Sequence, residues 1–222
     1  KTKLNDLPKA PGVYALSSQK TVLYIGKAAN LKERVKNHFM QPTYRDELFI
    51  QDIKKIGYIK TESDIDALLL ESQLIKKQQP RYNVMWKDDK KYFYVAIVKE
   101  QLPRVFLTHQ PALQKQSSKG PKSHLEKIEY IGPFTEGKAI KRVLRLLRKV
   151  FPYYTAKNHG ALLCQYCHLN LCPGPTPEKE VYKKNIRNLV SVLKGKKTSV
   201  QKQLKKEMEN LYLLAIFYPW QN

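Results

Sequence analysis

The sequence predicts a mixed α/β fold of the α+β kind: a small sheet flanked by helices, then a β and helical extension with a cysteine-containing segment. Three observations predict it. Short β-branched and aromatic runs alternate with stretches of helical spacing through the first ninety residues. Further strand-like runs follow and lead into one strongly basic helix. All three cysteines then fall between Cys164 and Cys172, bracketed by Pro152 and by Pro173, Pro175 and Pro177. A chain of 222 residues with 42% apolar content can hold one large unit or several small ones. The pattern divides it into residues 1–95, 96–150 and 151–222.

Gly12 to Leu16 reads as a strand, Ser17 to Lys20 as a polar turn, and Thr21 to Gly26 as a second strand that completes a hairpin. Asn30 is a helix cap, and Leu31, Val35 and Phe39 recur four apart behind it. Leu48, Ile50 and Ile53 predict another helix over Asp46 to Lys55. Ile56 to Thr61 is a third strand. Ser63 or Asp64 caps a helix running to about Lys77, which Pro80 closes. Tyr92 to Lys99, Arg104 to His109 and Lys127 to Ile131 read as strands of a further small β unit. Between them, Pro111 to Ser123 has loop composition. Thr135 is the expected cap of the basic helix Glu136 to Val150. Two polar helices, about Glu178 to Leu193 and Val200 to Ile216, finish the chain, broken at Gly195.

Lys and Arg number 41 against 19 Asp and Glu, a formal charge of +22. Such an excess opposes compaction and implies a polyanion that neutralises it. Nucleic acid is the first candidate and an anionic membrane surface the second. Insertion into a membrane is not expected, because the longest apolar run, Leu211 to Tyr218, is far short of the ~20 residues a spanning helix needs. Lys1 to Pro11 is polar and does not read as a signal peptide. Three clustered cysteines do not form a secreted disulfide framework, which implies a reducing, cytoplasmic setting.

Helical geometry places Glu71 on or beside the apolar face made by Ala67 and Leu74. A carboxylate there must be paired, protonated or bound to metal, so both a structural ion pair and a metal ligand are open. Tyr24, Gly26, Lys27 and Arg34 fall within eleven residues. Gly26 permits close approach of a ligand backbone, while Lys27 and Arg34 can face a phosphate, Arg with a bidentate fork. A solvated basic face is the plainer reading. Tyr14 and Tyr24 stand on adjacent strands, where cations and a metal would favour a phenolate.

The order of these features is specific. Gly12-Val13-Tyr14, followed ten residues later by Tyr24-Ile25-Gly26, resembles the signature of the GIY-YIG nuclease superfamily. Leu7 to Tyr14, Leu23 to Val35, Ala67 to Lys76, Pro80-Arg81-Tyr82-Asn83, Asp88 to Tyr92 and Gly132-Pro133-Phe134 are similar to the amino-terminal half of the bacterial UvrC-like excinucleases. That resemblance implies a metal-dependent DNA endonuclease that cuts one strand on the 3′ side of a lesion in nucleotide excision repair. It gives Tyr24 the role of general base and Lys27 that of a group tuning it. Arg34 would stabilise charge on the scissile phosphate. Glu71 would be the single protein ligand of Mg²⁺ or Mn²⁺. Asn83 and Tyr14 would hold the geometry.

Two departures follow. His38 stands where that branch usually has a tyrosine, and histidine can itself act as a base, so Tyr24 and His38 are both candidates. The resembled family carries four cysteines for a four-iron four-sulfur cluster. Here Cys164 and Cys172 match two of them, the other two positions are Ala156 and Thr176, and Cys167 is extra. With His159 or His168 as a fourth ligand, the set suits zinc or an iron–sulfur centre, and free structural thiols are the alternative. Cys164-x-x-Cys167-His168 also fits a haem-attachment pattern. Lys32 and Lys36 on one helix, and Arg142 and Arg145 on the basic helix, are the expected DNA contacts. The family's docking motif for a damage-loading helicase subunit is not supported by Leu213 to Asn222. A non-catalytic DNA-binding scaffold and an RNA-binding module are the rival readings.

Overall fold

Residues Gly12–Ser17 (β1) and Val22–Ala28 (β2) form an antiparallel hairpin, and Lys55–Lys60 (β3) adds to the far side of β1, giving a three-stranded sheet in the order β2-β1-β3. The computed structural model describes residues 4–84, 92–109, 127–156, 159–160, 162–196, 198–206 and 208. The hairpin turn is closed by Ser18, whose amide donates to the Thr21 carbonyl at 2.9 Å. Register places Tyr14 opposite Gly26 and Leu16 opposite Tyr24, so Tyr14, Leu16 and Tyr24 share one face. Leu31–Met40 (α1) covers that face through Leu31 and Val35. Its N-terminus is capped by Asn30, whose side chain accepts from the Glu33 amide.

Asp64–Gln78 (α3) lies on the opposite face, where Ala67 and Ile75 meet Val13 and Ile25. Ser63, not Asp64, is its cap, accepting from the Asp66 amide at 3.1 Å. The other side of α3 is also buried. Leu68 and Leu69 join a second core made by Phe93–Lys99 (β4), Arg104–Thr108 (β5), Lys127–Phe134 (β6) and the basic helix Gly137–Val150 (α5). These three strands form an antiparallel sheet in the order β5-β4-β6. The run Ala67 to Leu70 is thus continuous rather than striped because the helix is a layer between two sheets. A four-residue helix, Gln165–His168 (α6), carries Cys167. Lys179–Leu193 (α7) completes the second core with Tyr182, Ile186, Leu189 and Leu193.

Two expectations are corrected. The helix over 46–55 is instead a four-residue helix, Tyr44–Glu47 (α2), and a 3-10 turn, Ile50–Asp52. Thr43 and Asp46 form a reciprocal capping box that starts a helix. Phe49 then leaves helical geometry to pack its ring against Tyr24 and Tyr82, and the chain must extend into β3. Thr135 is not the cap of α5. Glu136 occupies that position without a side-chain cap bond, because the Thr135 hydroxyl is used elsewhere. The expected loop 111–123 and the string Asp88 to Lys91 lie outside the described residues. So does most of the helix placed at 200–216, of which 200–206 and 208 are described and helical.

Candidate active site

Gly26 explains how two tyrosines fit side by side on this sheet. A Cβ there would stand 2.5 Å from the Tyr14 hydroxyl oxygen and 2.7 Å from its Cζ, so the Tyr14 ring can lie across β2 only over a glycine. The Tyr14 and Tyr24 ring centroids are then 6.2 Å apart. His38, from α1, sits under both rings and is buried. Its Nε2 is 2.6 Å from the Tyr14 hydroxyl, and its Nδ1 is 2.6 Å from Asp46 Oδ1.

The proton positions in this chain follow from Asp46. Burial works against its charge, but the Thr43 amide and hydroxyl and His38 together hold its carboxyl below the usual range. An ionised carboxylate only accepts, so Nδ1–H of His38 donates to Asp46, and Nε2 accepts from the Tyr14 O–H. Burial keeps His38 below its ordinary pKa despite Asp46, and the ring is neutral. Burial, then the neighbouring Tyr24, raises Tyr14 well above the usual tyrosine value. Tyr24 is pushed up to about 12 by burial and then by the charge of Glu71.

Glu71 projects from α3 beside the exit of β2 and is 2% exposed. Its Oε1 accepts from the Lys27 amide at 2.9 Å and its Oε2 from the Thr135 hydroxyl at 2.8 Å. Among the described residues it forms no ion pair. Burial pushes its pKa up to about 7, against the pull of Thr135 and the Lys27 amide. The Lys27 ammonium is committed elsewhere, 2.8 Å from Asp64 and 3.2 Å from Glu136. Burial disfavours its charge, but those two carboxylates more than offset this and raise its pKa. Lys27 therefore meets Glu71 through its backbone.

Asn83, in the short helix Arg81–Val84 (α4), acts on the edge of β2. Its Oδ1 accepts from the Ile25 amide at 2.8 Å and its Nδ2 donates to the Ile25 carbonyl at 2.9 Å. One side chain thus supplies both bonds of a missing strand, between Tyr24 and Gly26. Tyr92 donates to the Asn83 carbonyl at 2.7 Å.

Tyr24, Arg34, His38, Asp46 and Asn83 line one cavity of about 580 Å³, within the size range of ligand pockets. Its remaining wall includes Tyr92, Phe93, His109 and Thr135, from the second sheet and its approaches. Arg34 is exposed at this cavity; elsewhere on α1, Lys36 is exposed and Lys32 is half-buried. Residues 10–84 match the family model described as a UvrC-like GIY-YIG domain. The chain carries a UvrC-like GIY-YIG domain. Over 93% of its length it is 34% identical to UvrABC system protein C of Caldicellulosiruptor saccharolyticus and 37% identical to that of Clostridium perfringens. It spans about a third of the length of these relatives, 35% and 34% respectively. Among solved structures, the GIY-YIG N-terminal endonuclease domain of UvrC from Thermotoga maritima, bound to its catalytic divalent cation magnesium, is 30% identical. That match covers 37% of this chain and 98% of that one, with a TM-score of 0.35.

The GIY-YIG domain thus brings together Tyr14, Tyr24, Arg34, His38 and Asn83, with Glu71 and Lys27 at the adjoining strand exit. Sequence reasoning missed Asp46 and Thr43, although Thr43-x-x-Asp46 is a visible capping-box pattern. It also missed Thr135, Tyr92, Phe93 and His109 as site residues. They reach the domain only through the packing of the second sheet, which no local pattern announces.

Arg142 and Arg145 are exposed on α5, whereas Arg148 is clamped. Its Nε donates to the Leu171 carbonyl at 2.6 Å, and its guanidinium lies over the Tyr153 and Tyr166 rings at 4.9 and 4.5 Å. Beyond this clamp, His159, Cys164, Cys167 and Cys172 place their ligand atoms within 4.8 Å of one another. His168 stands outside this group, so His159 is the histidine that joins the three cysteines.

Proposed function

We propose that this chain is a metal-dependent DNA endonuclease that hydrolyses one phosphodiester bond, incising one strand 3′ to a lesion in nucleotide excision repair. One observation carries the reading. Tyr24, Arg34, His38 and Asn83 converge on one cavity, with Tyr14 hydrogen-bonded to His38 and Glu71 buried alongside, inside the stretch that matches the UvrC-like GIY-YIG model. A carboxylate with two neutral donors, no ion pair among the described residues and a pKa of about 7 fits a divalent cation as its missing counter-charge. Glu71 would hold Mg²⁺ or Mn²⁺, which supplies Lewis-acid stabilisation of the phosphate when bound.

The chain's own groups define the rest. Arg34 faces the cavity with a fork suited to phosphate oxygens and stabilises charge gathering on phosphorus. Tyr24 is placed to take the proton of the attacking water, but a pKa of about 12 makes that costly while Glu71 is ionised and uncompensated. His38 is the alternative acceptor. It is neutral, and Asp46 would stabilise the imidazolium that proton uptake creates. Lys32, Lys36, Arg142 and Arg145 supply the phosphate contacts that position the duplex. The cytoplasmic setting implied by the cysteine usage belongs to the same proposal, and no described helix is long and apolar enough to cross a membrane.

The test is nicking of a lesion-bearing duplex with Mg²⁺ or Mn²⁺, comparing wild type with Glu71→Ala, Tyr24→Phe and His38→Phe. Nicking by wild type, lost at least about 100-fold in Glu71→Ala, supports the assignment. Whichever of Tyr24→Phe and His38→Phe loses the alkaline rise of the rate identifies the proton acceptor. Tight binding without nicking by any form, with or without a damage-loading helicase subunit, replaces the enzyme with a DNA-binding scaffold.

A further inference from the structure

The resemblance to the UvrC-like excinucleases implies a four-cysteine iron–sulfur cluster in the segment after α5, and the donor set of this chain does not fit that group. Only three thiolates are present, and the fourth donor is a histidine. Geometry points the same way. In a cubane cluster each cysteine binds a different iron, and the irons and bridging sulfides hold the four ligand atoms well apart. Here all four lie within 4.8 Å of one another, with Cys164 Sγ to Cys167 Sγ at 3.4 Å and His159 Nε2 to Cys167 Sγ at 3.1 Å. A single tetrahedral zinc with Zn–S near 2.3 Å and Zn–N near 2.0 Å sets ligand atoms roughly 3.5–3.8 Å apart. The observed spacing is that of ligands around one ion.

Two further observations support a built site. His159 Nδ1 lies 2.7 Å from the Gly160 carbonyl, so Nδ1–H donates there and the Nε2 lone pair faces the cysteines, the tautomer a metal requires. Between Tyr154 and Cys172, none of the described leucines is buried. Leu162 is 85% exposed, and Leu163 and Leu169 are each 59% exposed. A short stretch with its apolar side chains in water needs a staple to stay in one conformation. Arg148 ties the segment to α5 from one side, and Tyr154 donates to the Gly174 carbonyl from the other. The four ligands lie between these ties.

We propose that His159, Cys164, Cys167 and Cys172 bind one zinc ion as a structural Cys₃His site, in place of an iron–sulfur cluster. The ion pins residues 153–174 against α5 and α7. The site is redox-inert, so the stability of this region is independent of mild oxidants and reductants that leave thiols intact.

The experiment is metal and sulfide analysis of the full chain expressed with both iron and zinc supplied, followed by Co²⁺ replacement. The expected result is one zinc per chain, no acid-labile sulfide, and the intense visible bands of tetrahedral cobalt with thiolate charge transfer. His159→Ala should lose zinc to a competing chelator at least 100-fold more readily, while His168→Ala retains it. If His159→Ala fails to fold, His159→Cys separates the causes, because it should fold and hold zinc through four thiolates. Iron with labile sulfide overturns the proposal. So does a chain with no metal and three freely titratable thiols, or zinc loss on His168→Ala but not on His159→Ala. Nicking activity plays no part in this readout, so the proposal stands or falls apart from the nuclease reading.

Discussion

Glu71 stores a cost that a pH titration can expose. Its carboxyl has a pKa of about 7 in the fold against 4.5 ordinarily, so the folded chain binds that proton more tightly than the unfolded one. The contribution is fully present below about pH 4.5 and is lost as pH rises to about 7, amounting to something on the order of 3 kcal/mol. Urea midpoints across that window in EDTA should therefore fall for wild type relative to Glu71→Gln, the difference isolating Glu71 because His38, held below its ordinary pKa, titrates in both chains. Adding Mg²⁺ should recover stability above pH 7 in wild type alone. An identical pH profile for both chains would sink the assignment. The same logic applied to Asp46 gives a catalytic prediction. Asp46→Asn removes the ionised partner that fixes the His38 tautomer, and an amide Nδ2 can donate to Nδ1 and reverse it. If His38 takes up the proton, cleavage should drop about 10²-fold or more with little change in DNA affinity. An unchanged rate would leave proton uptake to Tyr24.

At the scale of elements, β2 is the part on which the site depends, and it is an edge strand. Its fidelity rests on Asn83, which bonds both backbone groups of Ile25, and on Gly26, which leaves room for Tyr14. Asn83→Ala would leave a buried amide and carbonyl unpaired, at a cost of about 2–4 kcal/mol. Gly26→Ala would force Tyr14 or the strand to move, costing about 1–3 kcal/mol. Chemical denaturation should rank the two in that order, and both should lose more activity than stability, because each displaces Tyr24. The strands and α3 were legible from sequence because their patterns are local: alternating β-branched runs, a Ser63 cap, a Pro80 stop. The helix expected over 46–55 was not, because the Asp46 carboxylate and the Phe49 ring are claimed by His38 and Tyr24, partners distant in sequence. The role of Thr135 was hidden for a similar reason. A threonine before a basic helix reads as a cap, and only the packing of β6 on α3 turns its hydroxyl to Glu71.

The whole molecule places the GIY-YIG cavity at a seam. One wall is the signature sheet with α1, and the other comes from the second sheet, through Phe93 and Thr135. The sequence motifs mark Tyr24, Arg34, His38 and Asn83 but not Thr43 and Asp46, and they are silent on the second wall, since packing between sheets leaves no periodic trace. The net charge of +22 is a property of the same scale, and its distribution makes it testable. Arg142 and Arg145 are exposed on α5, whose first turn adjoins the site through Thr135 and Glu136, whereas Arg148 is held by Leu171, Tyr153 and Tyr166. The exposed pair should therefore contribute to counterion release on DNA binding, and Arg148 should not. Each phosphate contact adds about 0.9 to the slope of log affinity against log salt. The double variant Arg142→Ala, Arg145→Ala should flatten that slope by nearly 2 in anisotropy titrations over a KCl series, with nicking at low salt preserved. Arg148→Ala should leave the slope alone and lower thermal stability, because it frees the Leu171 carbonyl and two aromatic faces. A slope unchanged by the double variant would remove α5 from the DNA path and leave α1 as the basic element at the cavity.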